Sequence, residues 1–142
     1  MIREMEKKDY KQVYNLGKEL HENFENIYPL EKITETNYIY LLVYEKEQEV
    51  LGFLTYTELQ DTVDVLDVIV AKSHRRKKIA TGLIDYMLTN ISPTSTVYLE
   101  VSVENQAAIE LYEKFGFEKI HTRKKYYGTE DAYVMERVSE NE

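Results

Sequence analysis

The residues of this chain that read most directly as chemistry run from Asp67 to Ile84: Asp67-Val68-Ile69-Val70-Ala71-Lys72-Ser73-His74-Arg75-Arg76-Lys77-Lys78-Ile79-Ala80-Thr81-Gly82-Leu83-Ile84. An apolar, β-branched run stops, a basic turn follows, and a helical pattern begins at once. That order predicts a strand, a loop and a helix N-terminus. The first turn of a helix carries N–H groups without intrahelical partners and a partial positive charge, and both suit a phosphate. Here the N–H groups would run from Arg76 to Thr81. Arg75, Arg76, Lys77 and Lys78 add four formal positive charges in a chain whose net charge is -8. Small residues, Ala80 and Gly82, let a phosphate approach the backbone. The segment therefore predicts a phosphate-bearing ligand at a strand-to-helix turn; the competing reading is a basic turn that only resists aggregation.

Composition bounds the rest. A chain of 142 residues fits a single domain over 1–142, burying roughly two-thirds of its unfolded surface, and 43% apolar content supports an ordinary core. The absence of cysteine removes disulfides, thiolate zinc sites and any route through an acyl-cysteine. The N-terminus, Met1-Ile2-Arg3-Glu4-Met5-Glu6-Lys7-Lys8-Asp9, is too charged for a signal peptide. No apolar run approaches the ~18 residues of a membrane span. The expectation is a soluble cytoplasmic protein with no membrane partner. The acidic balance disfavours nucleic acid as a partner and suits a cationic substrate such as an amine, although acidity is common without one. His21, His74 and His121 lack metal-ligand spacing, so no metal is assigned. Monomer and homodimer both stay open.

The elements that must position these groups follow from periodicity. Residues 2–6 read as a short edge strand. From Lys8 to about Asn23, apolar residues at Tyr10, Val13, Tyr14, Leu16, Leu20 and Phe24 recur at helical spacing, with Asp9 as the cap. Pro29 opens a second short helix or a loop through Asn37. Tyr38–Tyr44 and Val50–Leu59 form a hairpin across the polar turn at Lys46-Glu47-Gln48-Glu49, and Thr62–Ala71 reads as a central strand. Ile79 to about Ile91 is a helix, Thr96–Val103 a strand, and a further helix starts at Asn105 and stops at Gly116. Phe117–Arg123 and Asp131–Val138 are late strands joined by a loop around Gly128. The order β-α-α-β-β-β-α-β-α-β-β predicts an α/β (α+β mixed) protein, a single mixed β-sheet with helices on both faces.

The segment Glu100-Val101-Ser102-Val103-Glu104-Asn105-Gln106-Ala107-Ala108-Ile109-Glu110-Leu111-Tyr112-Glu113-Lys114-Phe115-Gly116-Phe117 resembles the acyl-coenzyme A-dependent N-acetyltransferases of the GNAT superfamily. It has their Leu-Glu-Val strand, their Asn-x-x-Ala-x-x-Leu-Tyr helix and their Gly-Phe ending. Arg75-Arg76-Lys77-Lys78-Ile79-Ala80 resembles their coenzyme motif, Gln/Arg-x-x-Gly-x-Gly/Ala. The tail Tyr126-Tyr127-Gly128-Thr129-Glu130-Asp131-Ala132-Tyr133-Val134-Met135 is similar to that of N-terminal protein acetyltransferases, including the RimI type. The resemblance spans about residues 38–138. Two departures stand out. Lys78 replaces the first glycine of the phosphate loop; a positive φ there would strain it, close backbone approach alone would not, and its side chain can turn toward the coenzyme's 3′-phosphate. Residues 21–37 lack the aromatic-Pro-Trp-Ser type of segment found in RimI-type enzymes.

The resemblance implies a GNAT fold with splayed central strands, acetyl-CoA as co-substrate and an amine acceptor. The backbone of Val68, Ile69 and Val70 would hold the pantetheine arm like an added strand, with the Val70 N–H at the oxyanion. The pyrophosphate would sit on Arg75, Arg76, Lys77, Lys78, Ile79, Ala80 and Thr81. Asn105 would contact the coenzyme, or simply cap its helix, or both. Acetyl transfer needs a neutral amine: at pH 7 an α-amine near ~8 costs about 1 kcal/mol to deprotonate and a lysine near ~10.4 about 4.6. Glu100 is implied as the base, with Asp64, Asp67 and Glu104 ranked below it. Tyr112 is implied as the acid for the departing thiolate, since a phenol near ~10 lies above a thiol. Tyr126 and Tyr127 would line the acceptor groove. The bland readings are a solvent-facing glutamate, a core tyrosine and packing tyrosines. The acceptor implied first is a protein N-terminal α-amine. A small-molecule amine or a lysine side chain comes second, and a coenzyme-binding sensor with little turnover is the reading from another class.

Overall fold

The predicted strands form in the predicted order, with three short helices rather than two between the first and second. The computed structural model describes residues 1–19, 22–27, 29–75, 78–124 and 130–139. The strands are β1 (Ile2–Glu4), β2 (Ile39–Lys46), β3 (Glu49–Leu59), β4 (Thr62–Val70), β5 (Thr96–Ser102), β6 (Glu118–Arg123) and β7 (Ala132–Arg137). They make one mixed seven-stranded sheet in the order β1-β2-β3-β4-β5-β7-β6, so the strand read as central is the fourth of seven. The helices are α1 (Tyr10–Gly17), α2 (Phe24–Ile27), α3 (Leu30–Ile33), α4 (Ile79–Asn90) and α5 (Gln106–Lys114). The β1–β2, β2–β3, β5–β7 and β6–β7 pairs are antiparallel and β4–β5 is parallel. A parallel pair needs a crossover, and α4 lies in the connection between these two strands. The parallel register runs from Thr62–Thr96 to Asp64–Tyr98, and both strands continue beyond it, to Val70 and Ser102.

Two compact units divide the chain: Met1–Glu58 with Asp67–Ile91, and Leu59–Leu66 with Ser92–Glu142. In the first, α1, α2 and α3 cover an apolar cluster that includes Val13, Phe24, Leu30, Ile33, Leu41, Val43, Phe53 and Ile69. The single helix expected from Lys8 to Asn23 does not form. The α1 helix stops at Gly17, and Phe24 belongs to α2. A Cβ on Gly17 would lie 2.4 Å from the Phe24 ring, so the glycine is the seat of that ring. Phe24 is fully buried, edge-on to Tyr14 and Phe53 at 6.1 and 5.7 Å between centroids. The helical spacing therefore marks a common buried face shared by two helices. Gly17→Ala is expected to cost about 2 kcal/mol through overpacking, read as a lower urea midpoint with an unchanged slope; an unshifted midpoint would show that Phe24 can move aside.

Asp9 is not the side-chain cap of α1. Its carboxylate accepts the Glu6 N–H at 2.7 Å and both terminal nitrogens of Arg3 at 2.7 and 3.0 Å, and Arg3 also pairs with Glu45. Asp9 is buried, and Arg3 is its counterion. This network ties β1, the turn after it and β2 into one corner of the first unit.

In the second unit, β5 alternates Val97, Leu99 and Val101 inward with more open Tyr98, Glu100 and Ser102 between them. The strand is flanked by β7, which places Val134 opposite Glu100 and Met135 opposite Leu99. The α5 helix buries Ile109 and Tyr112 and ends at Gly116, whose φ of 92° fits a glycine stop.

Candidate active site

In the first unit the site begins at the end of β4. Ile69 turns into the apolar cluster, while Val68 and Val70 are half-buried on either side of it in sequence. Gly52 on β3 makes room here. A Cβ at Gly52 would stand 3.0 Å from the Ile69 carbonyl oxygen and 3.0 Å from Cγ2 of Ile79, so the glycine lets the first residue of α4 dock beside β4. The Ala71 N–H donates to the Leu51 carbonyl at 2.8 Å, and a 3₁₀ turn over Lys72–His74 follows. Arg75 folds back, its Nε donating to the Val70 carbonyl at 3.3 Å. One acceptor implied for an added strand at Val70 is thus already engaged, although a carbonyl has a second lone pair.

Lys78 occupies the N-cap of α4 with φ 63° and ψ 21°, a left-handed conformation, and no side chain caps the helix. The expected strain at this position is therefore real, of order 1 kcal/mol for a residue with a Cβ. The Gly82 N–H makes an intrahelical bond to the Lys78 carbonyl at 3.0 Å. The N–H groups of Ile79, Ala80 and Thr81 precede it in the first turn, where helix geometry offers them no partner. These three donors, with the partial charge of a helix spanning Ile79–Asn90, suit one or two phosphate oxygens. The missing Cβ of Gly82 would stand 3.2 Å from Ile2 Cδ1, so the smallness of this residue also seats α4 on β1. Arg76 and Lys77 lie outside the described residues.

In the second unit Glu100 is exposed on β5 and its Oε2 accepts from Arg123 Nη1 at 2.8 Å. The sheet brings this pair together, since Val134 lies opposite Glu100 and its strand neighbour Ala132 lies opposite Arg123. Sequence reasoning missed Arg123: a strand over Phe117–Arg123 was expected, but the partner of its last residue depends on strand order. Asn105 caps α5, its Oδ1 accepting the Ala108 N–H at 3.2 Å. The capping reading is thereby realised, and the Asn105 side-chain NH₂ is a donor that this bond does not use. Tyr112 is 9% exposed, with its ring 5.8 Å from that of Phe117, and the Phe117 N–H donates to the Tyr112 carbonyl at 3.1 Å. Ring packing and the turn at Gly116 hold the phenol in one place. Tyr126 and Tyr127 lie outside the described residues; Lys124 and Asp131 form an ion pair at 3.1 Å. Among the described residues no helix is long and apolar enough to cross a membrane, and no group of three His, Asp or Glu is placed to hold a metal ion.

Residues 2–117 match the Acetyltransferase (GNAT) family. An N-alpha-acetyltransferase from Saccharolobus solfataricus is 39% identical over 93 residues, 61% of this chain and 56% of that protein. The ribosomal-protein-alanine N-acetyltransferase of Brucella melitensis has a crystal structure with a TM-score of 0.83 at 21% identity, covering 97% of this chain and 99% of that one. A variant of the spermidine N-acetyltransferase of Vibrio cholerae gives 0.81 at 24% identity, over 98% and 95%. At these identities the two structures show a common fold alone. The chain spans about half the length of the curated relatives it matches.

Proposed function

The chain belongs to the acetyltransferase (GNAT) family, and from that premise we propose that it moves an acetyl group from acetyl-CoA to a protein N-terminal α-amine, by direct attack in a ternary complex. The acceptor rests on one observation, the 39% identity to an N-alpha-acetyltransferase over 93 residues. In this reading residues 1–142 form one acetyltransferase domain. The first turn of α4 binds the diphosphate through the N–H groups of Ile79, Ala80 and Thr81, with Arg75, Arg76 and Lys77 supplying charge. Backbone groups of Val68, Ile69 and Val70 orient the pantetheine arm, and the NH₂ of Asn105 donates to the coenzyme.

Glu100 takes the proton of the acceptor ammonium, directly or through water, and leaves a neutral amine. The amine nitrogen bonds to the acetyl carbon as the carbon–sulfur bond breaks. Tyr112 gives its phenolic proton to the departing sulfur, and the second proton shed by the acylated nitrogen returns through solvent to the phenolate, so that amide and thiol leave neutral. Arg123 acts through Glu100 by holding its carboxylate in one orientation. Tyr126 and Tyr127 flank the acceptor. An α-amine suits this machinery because its deprotonation costs about 3.5 kcal/mol less than that of a lysine at pH 7.

The test is thiol release from acetyl-CoA, with mass-spectrometric detection of products, against a mixed panel of N-terminal peptides, lysine-bearing blocked peptides and polyamines. The expected result is acetylation of free peptide N-termini with blocked peptides left unmodified. Turnover of polyamines but not peptides would replace the acceptor. Binding of acetyl-CoA with no thiol release from any amine would replace the enzyme with a sensor.

A further inference from the structure

We propose that Lys78 makes the protein selective for the 3′-phosphorylated coenzyme, its ammonium pairing with the 3′-phosphate; the inference rests on the acetyl-CoA reading above. Lys78 stands where two physical costs coincide. Its φ of 63° places a residue with a Cβ in the left-handed region, where glycine fits without penalty. Its cation sits at the N-terminus of α4, the positive end of a helix, where a positive side chain is disfavoured. It is exposed and forms no ion pair among the described residues, and no anion among those residues offsets either cost. An anionic ligand offsets the second cost and gives the lysine a role.

The ligand carries two kinds of phosphate. The diphosphate suits the fixed backbone donors of Ile79, Ala80 and Thr81, which point along the helix axis. The 3′-phosphomonoester carries about −1.5 to −2 at pH 7, with a second pKa near ~6, and so has the higher charge density. A compact ammonium on a flexible four-carbon stem at the surface gains most from that group. Arg75, the other described cation implied for the loop, already holds the Val70 carbonyl through its Nε.

The experiment is calorimetric titration of coenzyme A and of 3′-dephospho-coenzyme A into the wild-type chain, Lys78→Gly and Lys78→Met at low salt. Lys78→Met removes the charge and keeps the left-handed backbone cost; Lys78→Gly removes both. Wild type is expected to prefer coenzyme A by about fivefold, a preference that fades at high salt and as the pH falls below ~6. Both variants are expected to lose affinity for coenzyme A by that factor and for the dephospho form by less than twofold. An unchanged preference in Lys78→Met overturns the inference, as does an equal loss for both ligands, which would place the ammonium on the diphosphate. A wild type that binds both forms equally ends this inference and leaves the proposed function standing. A wild type that binds neither ends both.

Discussion

Tyr112→Phe is expected to lower turnover about a hundredfold, the lower end of what general acid–base catalysis contributes, while acetyl-CoA affinity changes by less than about threefold. The substitution isolates one atom. Tyr112 is held by ring packing against Phe117 and by the turn at Gly116, and a phenylalanine ring preserves both. What disappears is the hydroxyl, the donor proposed for the sulfur that leaves. Without it the thiolate departs unprotonated or takes a proton from water. The loss is therefore confined to the chemical step, and it appears in kcat more than in substrate binding. Steady-state kinetics with the best peptide of the panel, paired with calorimetric binding of acetyl-CoA, measure the split. Unchanged turnover removes Tyr112 as the acid. Loss of affinity with unchanged kcat would make it a packing residue of the coenzyme site.

Arg3→Ala is expected to destabilise the fold by roughly 3–5 kcal/mol. Asp9 is only 2% exposed, and Arg3 supplies two of its hydrogen bonds and its countercharge. Removing the cation strands a buried carboxylate, with the backbone N–H of Glu6 still donating to it, in the corner between β1 and α1. The pH dependence identifies the cause. Burial by itself pushes the Asp9 carboxyl up, but the Arg3 guanidinium and the Glu6 N–H outweigh it and hold the group below its ordinary value of 3.8. A carboxyl with a depressed folded-state pKa contributes stability above its unfolded pKa and loses it as pH falls through the folded pKa. The gap between wild type and Arg3→Ala should therefore be full at pH 7 and narrow steadily below about pH 4. Urea unfolding across pH 3 to 7 measures it. A gap independent of pH would assign the loss to the packing of the arginine stem.

Much of the candidate site was legible in the sequence because it is built from contacts between near neighbours. The strand–turn–helix at Val68–Thr81 is written in a change of period and a run of cations. The Asn105 cap reaches three residues, to Ala108, and the Gly116 stop acts on the turn before it. Along Thr96–Ser102 the apolar residues Val97, Leu99 and Val101 alternate with polar ones, and the structure leaves Glu100 exposed. Each signal needs only local backbone geometry, and the segment carries that information wherever it is placed.

The tertiary structure decided what depends on residues distant in sequence. Helical spacing from Tyr10 to Phe24 could not say that the helix breaks, because the break depends on where the Phe24 ring lands, and it lands on Gly17. Gly82 read as room for a phosphate, and the sequence could not say that it also makes room for Ile2, 80 positions away. Arg123 meets Glu100 because β7 separates β5 from β6 in the sheet, an order that periodicity does not contain. Lys78 is intermediate: its departure from glycine was visible in the chain, but its positive φ required the helix to be docked and started. The sequence by itself thus determined which local elements carry the chemistry and what charge surrounds them. Strand order and packing determined which distant side chains complete them, since a contact across the sheet is set by the shape of the whole fold and no short segment encodes it.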